Sequence, residues 1–324
     1  MKVRRISLDG VPRSQWLAMR VPNINASEVP TVLGEAHYGS AAELFAEKKG
    51  LRPPREDTAI LRKGRWGEAA GFEALADECP QWEIRRAKIY VVDDDLRMGC
   101  TPDGAAIAPD RQGIGIVQVK VVAAHIFRQR WLDDDSNNLA FGDATPPVPF
   151  VLQTLTEMML TNAEWGVIAV LIVPEYDWHF RLFPVERNAV REQLIIDGVQ
   201  KFFREHLDPG VMPAFEPQRD QRLIRELYPQ DTGEVISLDT DNRALTVIEE
   251  LAEVSAACKR LESREDELRT ELMGKLGDAT YAKCGDRWLS WRATNFKAYS
   301  VPAQTRRVFR VHTTKPKGLK DENQ

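Results

Sequence analysis

The stretch Ile116-Val117-Gln118-Val119-Lys120-Val121 limits the fold of this chain more than any other. Successive side chains of a strand point to opposite faces. Val117, Val119 and Val121 therefore share one face, and Ile116, Gln118 and Lys120 the other. The valine face needs a core to cover it. A lysine closing so apolar a strand is costly unless another group pairs with it or uses it. Upstream, Arg97-Met98-Gly99-Cys100-Thr101-Pro102-Asp103-Gly104 reads as the partner strand of a β-hairpin, with turn chemistry supplied between Pro109 and Gly113. That pairing delivers Asp103 beside the amide and the lysine.

The rest of the chain alternates helices and strands. Gln15 to Pro22 is a short element carrying Arg20. Ser27 reads as the N-cap of a helix that accepts Pro30 in its first turn and ends at Gly34. Ser40 with Glu43 three residues on is a capping box, and its helix stops at Gly50. A Pro/Arg-rich loop spans Leu51 to Thr58. In the helix from Gly64 to Cys79, Phe72, Leu75 and Cys79 recur at helical spacing and turn Glu68 toward the buried side. An acid there needs a cation or hydrogen-bond donors.

Glu83 to Val92 is the next strand. Ala123 to Thr145 starts as a helix and becomes a polar, acidic loop. The helix Phe150 to Thr161 buries Val151, Leu152, Leu155, Met158 and Met159, with Gln153 and Glu157 on its polar face. Val167 to Val173 is continuously apolar, as a strand covered on both faces requires. A strand from Tyr176 to Val185 and a helix from Arg187 to His206 complete a core over residues 1–208.

Residues 209–240, rich in Pro, Gln, Arg and Asp, read as a linker. An appendage over 241–324 begins with a long helix, Asp241 to Leu276, whose seam includes Ile248, Leu251, Cys258, Leu261, Leu268 and Leu272. The seam suits either a coiled-coil partner or packing on the core. Trp288 to Trp291 and Arg307 to His312 have strand character.

Composition excludes some classes. The net charge is −5, so nucleic-acid contact has to come from local patches or bound metal rather than bulk charge. Arg52, Arg55, Arg62, Lys63 and Arg65 form one such patch; Arg306, Arg307, Arg310, Lys315, Lys317 and Lys320 form another, unless these runs are only solvated faces. The four cysteines are widely spaced, which argues against a zinc or iron–sulfur site and against a disulfide framework. No signal peptide or spanning apolar run is read, so a soluble, intracellular protein is expected.

Several separated stretches carry a family resemblance. Arg20 followed by Asn25-Ala26-Ser27-Glu28, the segment Gly64 to Glu68, Thr101-Pro102-Asp103-Gly104, Val117-Gln118-Val119-Lys120, and Gln153 with Trp165 beyond it resemble the ordered motifs of the YqaJ-like viral recombinases. These are relatives of lambda-type phage exonuclease in the PD-(D/E)XK nuclease superfamily. The resemblance covers roughly residues 15 to 185 and departs from the pattern at Gln118, where the family places an acid.

The resemblance implies an α/β (α+β) fold, a mixed central sheet flanked by helices. It implies a Mg²⁺-dependent deoxyribonuclease, with Mn²⁺ able to substitute, that digests linear duplex DNA 5′-to-3′ in phage-type recombination. The expected metal ligands are Glu68, Asp103 and Gln118, with Lys120 orienting the nucleophile. Arg20, Ser27 and Thr101 would hold a 5′-phosphate, and Gln153 would contact DNA or organise the site. Expected partners are duplex DNA with free ends, a single-strand annealing protein and further copies of the chain, in the cytoplasm of a bacterial host. A weakened DNA-end binder and a structure-specific endonuclease are the competing readings. Gln118 separates the first from the family activity, because an amide oxygen binds a hard cation without charge.

Overall fold

The computed structural model describes residues 2–52, 58–132, 144–174, 177–297, 303 and 307–311. The chain divides into two compact units, Met1–Leu227 and Tyr228–Gln324.

The first unit opens with β1 (Val3–Ser7), α1 (Arg13–Arg20), β2 (Ile24–Asn25), α2 (Val29–Val32), α3 (Ala41–Lys48) and α4 (Ala59–Glu78). Then come β3 (Glu83–Arg86), β4 (Ile89–Asp93), β5 (Met98–Cys100), β6 (Gly104–Ile107), β7 (Gly115–Ala123) and α5 (Ala124–Trp131). The unit closes with α6 (Val148–Thr161), β8 (Trp165–Val173), β9 (His179–Glu186), α7 (Ala189–Phe202) and α8 (Gln221–Leu227). A π-helical turn, Phe203–Leu207, extends α7. The fold is mixed α/β, as expected.

Two sheets are present in this unit, ordered β3-β6-β7-β8-β9 and β1-β4-β5-β2. In the larger sheet β7 and β8 run parallel, with Gln118 opposite Ile168 and Lys120 opposite Val170. The outer pairs are antiparallel. The alternation of β7 works as the sequence requires. Val117 and Val119 pack with Phe72, Leu75, Val167 and Ala169 on the α4 side. Ile116 joins Leu155, Met158, Ile168, Val170 and Phe127 on the α6 side. Both faces of β8 are covered, and Ile168, Ala169 and Val170 are fully buried.

Glycine sets the distance between α4 and β7. A Cβ at Gly71 would stand 2.3 Å from Val119 Cγ1, and one at Gly67 would stand 2.8 Å from Val121 Cγ2. Both neighbours are β-branched side chains with little rotamer freedom. Gly71→Ala is expected to push α4 away and destabilise the unit by about 1–3 kcal/mol, the usual cost of overpacking. Chemical denaturation checks this; an unchanged midpoint would show that the helix yields without cost.

Three expectations are corrected. The stretch from Arg97 to Gly104 is not one strand of a hairpin. Met98–Cys100 belongs to the smaller sheet, while Gly104–Ile107 pairs with β7. Pro102 lacks an N–H for the ladder, and the strand breaks there. The strand from Glu83 to Val92 likewise splits at Ala87 and Lys88. Ala87 N–H donates to the Asp103 carbonyl at 2.9 Å, and the Lys88 carbonyl accepts from Leu8 N–H at 2.8 Å. Both crossings between the sheets therefore meet at Asp103. Third, residues from 209 do not begin a linker. Leu223 on α8 is buried against Ala42 and Ala46 of α3, and buried Asp220 accepts from Ser40 Oγ at 2.5 Å.

The second unit contains α9 (Ala244–Leu276) and the antiparallel hairpin of β10 (Tyr281–Cys284) and β11 (Arg287–Ser290). Ile248, Leu251, Leu261, Leu268 and Leu272 of the helix seam are exposed. Residues 307–311, expected as a strand, have no regular structure, and no described neighbour offers them a ladder. Residues 53–57, 133–143 and most of the terminal basic run lie outside the described residues. No described helix is long and apolar enough to cross a membrane.

Candidate active site

The sheet crossing at Asp103 leaves a cavity of about 260 Å³, lined in part by Arg20, Ser27, Glu68, Thr101, Asp103 and Gln153. Gln118 and Lys120 reach these groups from β7. Every expected site residue is thus brought to one place, including the three expected to hold phosphate.

Asp103 sits at the N-terminal edge of β6. Its Oδ2 accepts the Val119 backbone N–H at 2.9 Å and also accepts from Gln118 Nε2. Gln118 lies on the strand face read from sequence and is 1% exposed. Lys120 Nζ stands 3.4 Å from Gln153 Oε1 and 5.0 Å from the centre of the Phe150 ring. The ring and the amide hold the ammonium at the end of the apolar strand, which answers the cost of placing it there. Glu68, half-buried on α4, is 3.4 Å from Arg86 Nη2.

Burial pushes the Asp103 carboxyl up to about 6; Lys120 opposes this and Glu68 adds to it. Glu157 is pushed well above the usual carboxylate range, by burial first and then by Asp103, against the hydrogen bond from Gln153. Two neighbouring buried acids that resist ionisation mark a site short of positive charge.

The side of the cavity with Arg20, Ser27 and Thr101 is built differently from expectation. Ser27 does not cap a helix: α2 is four residues long and Glu28 stands at its N-cap without a side-chain capping bond. The Ser27 hydroxyl instead accepts from Arg20 Nη2 at 3.0 Å. Pro30 does occupy the first turn, as expected. Arg20 also lies over the Trp16 ring, 4.6 Å from its centre, and Trp16 Nε1 donates to Thr101 Oγ1 at 3.1 Å. Arg20, Ser27 and Thr101 are so tied through one indole.

The loop beneath is clamped by Lys48. Its ammonium donates to the Arg20 and Asn23 carbonyls at 3.1 and 2.6 Å and pairs with Glu28 at 2.7 Å. Burial lowers the Lys48 pKa, and the Glu28 charge opposes the shift. Arg52, counted in a basic patch from sequence, is spent on structure. It pairs with Glu43, with Glu47 at 3.8 Å and with Glu226 at 3.1 Å.

Sequence reasoning missed Glu157 and Trp16. Glu157 was expected on the polar face of α6, yet it is 1% exposed and lines the cavity. The helix is buried from Thr154 to Leu160. A signal for this existed: a helix that is apolar nearly all round is buried all round, so its one acid is buried too.

Residues 15–164 match the family model described as the YqaJ-like viral recombinase domain. This stretch is similar to a YqaJ-like domain. All the site residues, Arg20 to Glu157, lie inside it. The protein YqaJ of Bacillus subtilis (strain 168) is 21% identical over 290 residues, covering 86% of this chain and 83% of that protein. Among solved structures, an alkaline exonuclease of Laribacter hongkongensis is 19% identical, with a TM-score of 0.47, covering 61% of this chain and 94% of that one. A phage-related exonuclease of Haemophilus somnus 129PT is 11% identical, with a TM-score of 0.41, covering 58% and 96%.

Whether the YqaJ-like domain suits a divalent cation is decided by its donors. Among the described residues no three of His, Cys, Asp and Glu stand together as a ready-made cluster. The donors around Asp103 are mixed: its own carboxylate, the unpartnered Oε1 of the Gln118 amide bonded to it, and the unpartnered Oε2 of Glu157, which lines the same cavity. Buried unpartnered oxygens are costly, and hard cations take carboxylate and amide oxygens alike. The donor set fits such an ion.

Proposed function

We propose that the YqaJ-like domain is a metal-dependent nuclease that degrades linear duplex DNA from its ends, in the 5′-to-3′ direction. One observation carries the reading. Asp103, Glu68 and Gln153 line the same cavity as Arg20, Ser27 and Thr101, with Lys120 bonded to Gln153, which supports a reading of reacting centre beside phosphate cradle.

Asp103, with Gln118 and Glu68, would hold Mg²⁺ or Mn²⁺. A divalent cation there supplies Lewis acidity and neutralises charge developing on the phosphate. Lys120 orients the attacking water and offsets the charge on the non-bridging oxygens. Gln153 fixes the direction of the ammonium by accepting from it. Arg20 and the Ser27 and Thr101 hydroxyls bind the terminal 5′-phosphate, a charge-assisted contact suited to a guanidinium. The strand left behind is single-stranded DNA, the substrate an annealing protein would take in phage-type recombination. That role and a homo-oligomeric state rest on the family resemblance.

The test is digestion of an end-labelled linear duplex beside a closed circular duplex, each with Mg²⁺, with Mn²⁺ and with EDTA. The linear duplex is expected to shorten from its ends, the circle to persist and EDTA to stop the reaction. Cutting of the circle would favour an endonuclease. Retention of duplex ends in a gel shift, with no cleavage in either metal, would favour the end binder.

A further inference from the structure

The strand position that should carry an acid holds Gln118, and a neutral oxygen there leaves the centre one negative charge short. The fold places a further carboxylate at the cavity lined by Asp103, the hydrogen-bond partner of Gln118. Glu157, on α6, lines the cavity that Asp103 lines and is as buried as Gln118, each being 1% exposed. Their hydrogen bonds are complementary. Gln118 turns its Nε2 to Asp103, which leaves Oε1 without a partner. Glu157 receives Gln153 Nε2 on Oε1 at 3.0 Å, which leaves Oε2 without a partner. Two orphaned oxygens, one of an amide and one of a carboxyl, therefore belong to side chains that neighbour Asp103, Gln118 through its hydrogen bond and Glu157 through the shared cavity.

We propose that Glu157 supplies the anionic metal ligand missing from position 118, so that the cation is held by Asp103, Gln118 and Glu157. The inference rests on the metal-dependent reading of the site. The charge has moved from the strand to the facing helix. The number of carboxylates is kept, with half-buried Glu68 also lining the cavity and paired with Arg86. The rival role for Glu157 is structural, as an acceptor that orients Gln153. Glu157→Gln separates the two, because the amide oxygen still accepts from Gln153 while the charge is gone. Affinity of such sites is tuned by the charge count of the ligands.

The experiment titrates Mn²⁺ into the full chain without DNA and follows free Mn²⁺ by electron paramagnetic resonance. The variants are Glu157→Gln, Gln118→Glu, the two together, and Asp103→Asn, with circular dichroism as the folding control. Glu157→Gln is expected to weaken Mn²⁺ binding about tenfold or more. Gln118→Glu is expected to raise affinity more in the Glu157→Gln background than in the native protein, since the two acids fill one role. Native affinity in Glu157→Gln, or equal gains from Gln118→Glu in both backgrounds, would overturn the assignment while a weakened Asp103→Asn left the metal centre standing. A native protein that binds no Mn²⁺ would overturn both. Should Glu157→Gln not fold, Gln118→Glu alone decides. A gain below about threefold upholds the relocated charge, and a gain of about tenfold shows that position 118 still lacked one.

Discussion

Asp103→Ala is expected to lower cleavage of linear duplex DNA by about a thousandfold or more. Asp103 is the one acid held by both the Val119 N–H and the Gln118 amide, and it stands where the chain crosses between the two sheets. Losing it removes an anionic oxygen from the proposed metal centre and frees the Gln118 amide that points at it. Charge stabilisation by a bound cation is worth several kcal/mol in the transition state, and each ~1.4 kcal/mol is tenfold in rate. Removing the buried acid relieves its desolvation but leaves the Val119 N–H and the Gln118 amide without an acceptor, so the variant is expected to stay folded with a denaturant midpoint at or below the native one. Rates on an end-labelled duplex, with that midpoint as control, provide the check. Cleavage at the native rate would remove Asp103 from the chemistry.

The second large effect concerns the DNA end. Substrates with a 5′-phosphate are expected to be degraded about 10- to 100-fold faster than 5′-hydroxyl substrates, the value of one charge-assisted contact of roughly 1.5–3 kcal/mol. Arg20→Ala should erase the preference and leave the slower rate. The geometry explains why a single side chain carries so much. Arg20 is stacked on Trp16 and bonded to Ser27, and the loop beneath it is pinned by Lys48. The guanidinium is oriented before DNA arrives, so little is lost in ordering it. Trp16→Ala offers a finer comparison: the arginine stays but its platform goes, and a partial loss of preference is expected. Equal rates on phosphorylated and unphosphorylated ends by the native protein would refute the cradle.

The strand Ile116–Val121 was legible because period-two alternation has one physical meaning. Val117 and Val119 meet α4, and Gln118 and Lys120 meet the cavity, as their order along the chain demands. The run Val167–Val173 was legible for a related reason, since an unbroken apolar strand is stable only with both faces covered. The Ser40 cap was legible because its bond to Glu43 N–H is local. Where the reading failed, a contact outside the local pattern or a break within it decided. Ser27 lost its cap role to Arg20. The supposed hairpin strand divided at Pro102 between two sheets.

Sequence alone determined which residues are candidates for the chemistry: an acid before a glycine, a lysine on an apolar strand, an arginine ahead of a serine. Side-chain type and strand period fix those without reference to the rest of the chain. Only the tertiary structure decided how the residues share charge. Glu157 is four residues from Gln153 and looks solvated on a helical wheel, but α6 is buried from Thr154 to Leu160 and turns that carboxylate into the cavity beside Asp103. Burial is a property of what packs around a helix, and that information is distributed over the whole domain.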